Sequence, residues 1–226
     1  MSQFWQLEEV DLFDMLCPHK FAEFRATHTF TSFRKQEFIY MQGAEADAFY
    51  LISEGRIKIG YYTPEGDEVV KAILGPGELF GEMALTGQER HDEFAMAVET
   101  PTVVCPMDMR LLDELLEHDK TLSVKIWKWM GLRIRKLERR IEQLVYKDVR
   151  TRLVEFVRDM ALEYGVRRQG AIHIRHPFTQ QNIADLIGAS RPTVNALLNE
   201  LIRDGWMEVQ RGRFVLLKPD CFQLAI

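Results

Sequence analysis

The first half of the chain alternates short apolar stretches with turn-forming residues. The stretches are rich in β-branched and aromatic residues, which favour strands, and glycines and prolines separate them. They are Phe30–Phe33, Glu37–Tyr40, Ala48–Ser53, Arg56–Tyr62, Val69–Leu74 and Phe94–Val98. Strands this short and closely spaced predict an antiparallel jelly roll of the double-stranded β-helix kind, which can enclose a pocket for a small ligand.

From about Asp108 the apolar period changes from two to three and a half, which predicts helices. Met109–Leu116 forms a short helix, and a longer one covers about Thr121–Tyr146. Apolar residues in the longer helix follow each other at steps of three and four. They are Trp127, Met130, Ile134, Leu137, Ile141 and Leu144. A seam of about three heptads favours a parallel homodimer, although its first two turns could instead pack against the β-roll of the same chain.

The segment Thr179–Gln210 predicts a helix-turn-helix followed by the first strand of a wing. Gly188 makes the turn because glycine tolerates a positive φ. Ser190 caps the second helix, and Pro192 lies in its first turn, where the missing N–H costs nothing. Inward positions of that helix are Val194, Leu197, Leu198 and Leu201, and outward positions are Arg191, Thr193, Asn195 and Asn199. An ordinary helical hairpin is the alternative, but it does not account for so many coinciding signals.

The second helix of such a motif enters the DNA major groove with its N-terminal residues on the base edges. Arg191 can donate to O6 and N7 of a guanine together, and Asn195 can pair with an adenine edge through two hydrogen bonds. Double-stranded DNA is therefore the predicted partner.

Size and charge agree with a chain made of a β-roll part and a separate DNA-binding part. A chain of 226 residues, 46% of them hydrophobic, suits two modest domains better than one. Residues 147–226 hold 12 Lys and Arg against 9 Asp and Glu, a net charge of +3, which leaves −8 for residues 1–146. Binding to phosphates requires positive charge in the DNA-binding part. We predict an α+β fold with an effector domain over residues 1–118, a dimerisation helix over 119–146 and a winged helix-turn-helix domain over 147–226.

The cysteines and the termini indicate the compartment. Cys17, Cys105 and Cys221 are odd in number and far apart in sequence, which argues against a disulfide framework and against zinc or iron–sulfur ligation. Reduced thiols of a cytosolic protein are the expectation. The N-terminus MSQFWQLEEV has no signal-peptide pattern, and no apolar run approaches the ~20 residues of a membrane span. We expect a cytoplasmic protein that does not contact membranes.

The order of β-roll, long helix and winged helix-turn-helix resembles the Crp–Fnr family of bacterial transcription regulators. The resemblance runs from about Leu7 to Leu217 and is strongest in GPGELFGEMAL, at Gly75–Leu85, and IADLIGASRPTVNALLNELIRDGW, at Ile183–Trp206. It implies a homodimer that binds a two-fold symmetric DNA site, with RNA polymerase as a further partner.

The resemblance assigns roles on the DNA side. It makes Arg191 the arginine that contacts guanine. Pro192 stands where the family commonly has a glutamate, and Ala196 where the cyclic-AMP receptor has an arginine, so we expect a different half-site. The resulting base-reading residues are Arg191, Pro192 and Asn195. The expected phosphate contacts are Thr179, Gln180, Ser190, Thr193, Gln210, Arg211 and Arg213.

The resemblance also implies an effector pocket and a hinge. The candidate pocket residues are Gly81, Glu82, Met83, Ala84, Arg90, His91, Arg133 and Leu137. At the hinge the family has an aspartate that caps the helix after the long one. Asp148 matches it, directly before a helix predicted to begin at about Val149. A carboxylate there suits the free N–H groups and the positive end of the helix dipole.

Several pocket positions depart from the cyclic-AMP binders. Those proteins hold the ribose with a glutamate that Glu82 matches, and the cyclic phosphate with an arginine–serine pair. Here Arg90 is followed by His91 and then by Asp92 and Glu93, and two carboxylates would repel a phosphate. Leu137 and Glu138 replace a Thr-Ser pair that contacts adenine, although Arg133 is kept. A cyclic nucleotide therefore remains an alternative effector, but it is disfavoured. Glu82 could be retained for a structural turn.

No other cofactor or metal is evident. An iron–sulfur sensor needs an N-terminal cysteine cluster, which this chain lacks. Nothing marks a histidine as a haem ligand, and solvated surface positions are expected for His19, His28, His91 and His118. Trp127 and Trp129 could stack on a planar ligand, but core or interface packing is the commoner role.

Two other function classes fit the sequence less well. An enzyme on a cupin-like roll would need clustered histidines and a carboxylate for a metal, which the strands do not offer, so no catalytic residues are expected. A nucleotide-binding module that regulates a protein partner would leave the helix-turn-helix unexplained. The sequence therefore indicates a DNA-binding transcription regulator, with the effector, the target promoters and the sign of regulation left open.

Overall fold

The structure, a computed structural model, describes residues 16–20, 29–210 and 212–224. The chain divides into two compact units, with the boundary between Lys136 and Leu137. None of the helices in the described part is long and apolar enough to cross a bilayer.

The first unit contains two antiparallel four-stranded sheets, ordered β1-β8-β3-β6 and β2-β7-β4-β5. Their strands are β1 (Thr31–Phe33), β2 (Phe38–Tyr40), β3 (Phe49–Glu54), β4 (Ile57–Tyr62), β5 (Glu68–Leu74), β6 (Leu79–Phe80), β7 (Phe94–Ala97) and β8 (Thr102–Met107). Alternate side chains of both sheets meet in one core, which contains Ile52, Ile59 and Val104. The predicted jelly roll is confirmed.

Two strands of the roll escaped prediction. β6 is only two residues long, too short for a periodic pattern. β8 contains Pro106, and a proline normally argues against a strand. The strand tolerates it because β1 pairs with β8 only over Thr102–Val104, so that Pro106 lies beyond the end of that ladder.

Two helices follow the roll. They are α1 (Met109–His118) and α2 (Thr121–Tyr146). The side chain of Asp108 accepts from the Leu111 N–H and caps α1, which runs two residues past its predicted end. The start of α2 packs on the roll, because Leu122 and Trp129 are buried with Phe49 in a second core cluster. Core packing, rather than ligand stacking, is what the structure shows for Trp129.

The second unit is a winged helix-turn-helix. It begins within α2, at Leu137. Its further helices and strands are α3 (Val149–Tyr164), β9 (Gly165–Arg168), β10 (Ala171–Arg175), α4 (Gln180–Ile187), α5 (Arg191–Arg203), β11 (Met207–Gln210) and β12 (Arg213–Leu216). The strands form one antiparallel sheet ordered β11-β12-β10-β9. Its core contains Phe156, Ile183, Leu198 and Phe214, one from each main element. The hairpin of β9 and β10 was not predicted.

The cysteines are reduced, as predicted, whereas the prediction that the histidines lie on the surface was wrong in part. The separation of the cysteines in sequence conceals a contact, since the sulfur atoms of Cys17 and Cys105 lie 3.6 Å apart in the core. Both are reduced thiols, and their hydrogen bond, followed by burial, raises the pKa of Cys105. Histidines were expected on the surface, but His91 is only 2% exposed and His19 is half-buried against Phe30. His118 is exposed as expected, and His28 lies outside the described residues.

Candidate DNA-binding site and effector pocket

The first helix of the motif is closed at both ends by local hydrogen bonds. Thr179 accepts from the Asn182 N–H at 3.1 Å, and the Asn182 side chain accepts from the Thr179 N–H at 3.0 Å. This reciprocal cap satisfies two donors that the helix leaves free. At the other end Gly188 has φ 64°, a left-handed conformation that favours glycine, so the chain can turn sharply into α5.

The second helix presents a polar face and buries an apolar one. Ser190 caps it by accepting from the Thr193 N–H at 3.2 Å, and the two hydroxyl oxygens lie 2.7 Å apart. Its inner face is buried through Val194, Leu198 and Leu201, while Leu197 is half-buried. The predicted outward residues Arg191, Pro192, Thr193, Asn195 and Asn199 are exposed.

One contact across the motif was not predicted. The Gln180 amide on α4 donates to the Asn195 Oδ1 on α5 at 3.4 Å. An adenine edge needs both the oxygen and the nitrogen of an asparagine. The bond from Gln180 therefore engages an Asn195 atom that adenine would also use. The pairing joins a predicted phosphate contact to a predicted base contact.

The wing follows α5 directly. Gln210 is exposed and Arg213 is half-buried, and the two residues face each other across the β11–β12 pair. Arg211, also predicted at the wing, lies outside the described residues.

In the first unit, Glu82 is engaged by an arginine of the long helix. The residue opens a 3-10 turn, Glu82–Thr86, directly after Gly81, whose φ is 74°. Its carboxylate forms an ion pair with the guanidinium of Arg133. Arg133 also lies over the ring of Trp129, 5.2 Å from its centroid. The structure thus brings together two predicted pocket residues through a direct bond that the sequence did not indicate. Of the neighbouring positions, Met83 is exposed and Ala84 is buried.

Arg90 and His91 are also occupied by protein contacts. The Arg90 guanidinium donates to the Gly43 carbonyl at 2.7 Å. The His91 ring stacks on Tyr40, with 3.7 Å between centroids and 8° between planes. Burial lowers the pKa of His91 and outweighs the opposing effect of the carboxylates of Glu93 and Asp47. The imidazole is therefore held neutral in the roll.

The negative charges near His91 and Tyr40 are partly neutralised. Glu93 pairs with Lys71 at 2.5 Å, which removes much of the repulsion that the sequence suggested. Burial raises the pKa of Tyr40, and the nearby carboxylates Glu93 and Glu82 raise it further. Tyr40 is thus a neutral phenol. The last predicted pocket residue, Leu137, belongs to the second unit.

The predicted seam of α2 is solvent-facing in the single chain. All of its side chains are large and apolar, and they are between 44% and 72% exposed. Its members are Trp127, Met130, Ile134, Leu137, Ile141 and Leu144. A contiguous apolar row of this length on a helix is typical of an interface with another chain.

The hinge residue caps the helix that it precedes. The Asp148 carboxylate accepts from the Thr151 N–H at 2.7 Å. This backbone hydrogen bond is the main reason that the pKa of Asp148 is lowered. Within the described residues, no three or more His, Cys, Asp or Glu side chains are placed to hold a metal ion.

Comparison with known proteins decides the family. Residues 30–119 match the cyclic nucleotide-binding domain family, and residues 151–223 match the Crp-like helix-turn-helix domain family. The chain belongs to the Crp–Fnr family. It is therefore a DNA-binding transcription regulator with a cyclic-nucleotide-binding-like sensor domain, as the sequence predicted.

Individual relatives of this Crp–Fnr regulator have different regulatory roles. A CRP-like cAMP-activated global transcriptional regulator of Mycobacterium tuberculosis is 29% identical over 79% of each chain. A global nitrogen regulator of Synechocystis is 27% identical over 83% of this chain and 84% of the relative.

Solved structures share the fold over most of the chain. A CooA mutant from Carboxydothermus hydrogenoformans has a TM-score of 0.75 at 24% identity, over 99% of this chain and 98% of the other. A CRP/FNR family transcriptional regulator from Thermus thermophilus has a TM-score of 0.63 at 26% identity, over 86% and 96% of the two chains.

Proposed function

We propose that this regulator acts as a homodimer on a two-fold symmetric DNA site, under the control of an effector other than cyclic AMP. The observation that carries the DNA part is the polar N-terminal face of α5, where Arg191 and Asn195 are exposed while Val194 and Leu198 are buried. Such a face can enter a major groove without disturbing the core. Because the protein regulates transcription, we infer that RNA polymerase is a further partner and that the protein is cytoplasmic.

Each predicted part of the chain has a role in this proposal. Residues 1–118 sense the effector, residues 119–146 dimerise and residues 147–226 bind DNA. Arg191 contacts guanine, Asn195 contacts adenine, and Pro192 removes the acceptor common in the family. The phosphate contacts are Thr179, Gln180, Ser190, Thr193, Gln210, Arg211 and Arg213. Hydroxyls, amides and the N-termini of α4 and α5 all suit phosphate oxygens.

A gel-shift assay with genomic fragments tests the proposed function. We expect a few fragments to be retained in the presence of excess random DNA, and the complexes to contain two chains. Uniform weak binding to all fragments, or complexes with a single chain, would contradict the proposal.

The contacts in the roll support an effector other than cyclic AMP. A ribose hydroxyl at Glu82 would compete with the Arg133 ion pair, and a phosphate at Arg90 would compete with the Gly43 carbonyl. The serine of the arginine–serine pair has no counterpart, because His91 follows Arg90 and its ring is buried against Tyr40. The residues present therefore do not fit a cyclic-AMP site of the kind that the family uses.

We expect titration calorimetry with cyclic AMP to show no binding in the micromolar range, and DNA affinity to stay unchanged when the nucleotide is added. The physical reason is that the ligand must first break the contacts of Glu82 and Arg90. The Arg133→Ala variant, which frees Glu82, is the control for that ion pair. Micromolar binding by the unmodified protein, together with raised DNA affinity, would overturn this prediction.

Asp148→Ala should change the affinity for the specific site several-fold and leave the dimer and the half-site sequence intact. The cap fixes where α3 begins, so its loss loosens the joint between α2 and α3. Because the pKa of Asp148 is lowered, its stabilising effect is present at neutral pH and is lost as the pH falls through that lowered pKa.

The assay compares binding curves and melting temperatures of Asp148→Ala with those of Asp148→Asn, which keeps a side-chain acceptor for the cap. A lower melting temperature with unchanged DNA affinity would reduce Asp148 to a structural cap.

A further inference from the structure

Arg152 connects two helix ends that are far apart in the sequence. The residue lies in the first turn of α3, and its guanidinium donates to the main-chain carbonyls of residues from two other segments. At the end of α2 these are Lys147, at 2.6 Å, and Leu144, at 3.4 Å. At the end of α4 they are Ile187, at 2.8 Å, and Gly188, at 3.1 Å.

These carbonyls are suitable acceptors for a cation. The last carbonyls of a helix have no partner within the helix, and they form the negative end of its dipole. A guanidinium has five N–H donors in a fixed plane, so it can bond to both ends at once. A lysine ammonium is a compact charge with three donors, and it cannot span the two ends with the same geometry.

Two more contacts join the same elements. Arg140, on α2, donates to the Leu186 carbonyl at 3.3 Å, and burial lowers the pKa of this arginine. The side chain of Leu144 lies so close to Gly188 that a Cβ there would be 2.7 Å from its Cδ2. The end of α2 and the end of α4 therefore line one small crevice, together with Arg152.

Gly188 is the turn that leads from α4 into α5, so whatever fixes Gly188 also fixes the start of the helix that faces DNA. We propose that Arg152 is a positioning residue that fastens this turn to the last turns of the dimer helix, with Arg140 as a second contact. The inference rests on the proposed homodimer. Through these hydrogen bonds, the arrangement of the two α2 helices in the dimer sets the distance between the two α5 helices.

The role differs from that of Asp148. The Asp148 carboxylate accepts from the Thr151 N–H in the first turn of α3 and affects where that helix starts. Arg152 bonds to two other elements and so transmits a displacement from one to the other. A change in α2 can shift the DNA-binding face only by as much as these contacts favour one arrangement.

The test is discrimination between DNA sites whose two identical half-sites are separated by the natural spacing or by one base pair more or less. The variants are Arg152→Ala, Arg152→Lys and Arg140→Ala. Arg158→Ala is the matched control, since Arg158 lies on the same helix and bonds to the buried Asp159, away from the turn. Melting temperature and dimer mass are measured for every variant.

We expect the unmodified protein to prefer its natural spacing by about tenfold or more, because hydrogen bonds to charged groups are the stronger class. Arg152→Ala should bind the three spacings within about threefold of one another, with the half-site sequence unchanged. Arg152→Lys should be intermediate, and Arg140→Ala should lose less. Arg158→Ala should melt at a lower temperature and keep the spacing preference.

The outcomes separate a positioning role of Arg152 from a purely stabilising role. An Arg152→Ala variant that keeps the full spacing preference while it melts earlier would show that Arg152 only stabilises the fold. If Arg152→Ala does not fold, Arg152→Lys and Arg140→Ala decide the same question. An unmodified protein that binds a single half-site as a monomer would contradict the proposed homodimer instead, and with it the coupling.

Discussion

Ile134→Glu combined with Leu137→Glu should turn the dimer into a monomer at all practical protein concentrations. The two side chains are 54% and 55% exposed in the single chain, so glutamates there cost the isolated fold little. In a parallel dimer the same positions face their counterparts, and four carboxylates would be desolvated at the centre of the seam. An uncompensated buried charge costs about 3–5 kcal/mol, so the dimer constant should weaken by roughly a thousandfold or more.

Light scattering measures the result, and a second pair of substitutions controls for charge. Arg135→Glu combined with Arg139→Glu adds two glutamates at exposed positions of the same helix that lie off the seam. We expect this control to stay dimeric and the seam variant to show the mass of one chain. If the seam variant keeps the mass of two chains, the interface lies elsewhere.

Arg191→Ala should remove specific DNA binding while general DNA binding persists. A bidentate contact to guanine is worth on the order of 1–3 kcal/mol of discrimination, and a two-fold site contains two such contacts. We therefore expect a loss of roughly a hundredfold for the specific site, together with relaxed preference at one base pair of each half-site.

Arg213→Ala serves as the comparison for Arg191→Ala. A phosphate contact neutralises charge without reading sequence, so this variant should weaken all DNA alike and reduce the slope of affinity against salt by about 1 per contact. Fluorescence anisotropy at several salt concentrations, on specific and random duplexes, separates the two effects. Equal losses on both duplexes in Arg191→Ala would show that Arg191 contacts phosphate instead.

Local chemistry made much of the fold predictable. Gly188 permits a left-handed turn, Ser190 can cap a helix and Pro192 fits a first helical turn, and together they marked the turn and the start of α5 before any packing was known. The limits of α2 were predicted as the structure has them, because a long apolar period contrasts with the polar residues that flank it. Turns, caps and apolar periods depend on residues that are close together in the sequence, so a single sequence is enough to predict them.

Contacts between distant segments were not predictable in the same way. Nothing near Cys105 indicates that Cys17 lies beside it, since 88 residues separate the two. His91 sits in a charged stretch that is typical of a surface loop, yet its ring is buried against Tyr40. Arg152 follows a helix start as many exposed arginines do, and its carbonyl acceptors belong to two other elements. Such features depend on which elements the fold brings together.

Selection of bound sequences from a random DNA pool by the unmodified protein tests whether the chain reads DNA as a symmetric dimer. We expect an inverted repeat whose half-sites lie about one helical turn apart, each with a guanine at a fixed position, and a sequence distinct from that of the cyclic-AMP receptor. Enrichment of no sequence, or of one half-site without its symmetric partner, would contradict a homodimer that reads DNA through Arg191.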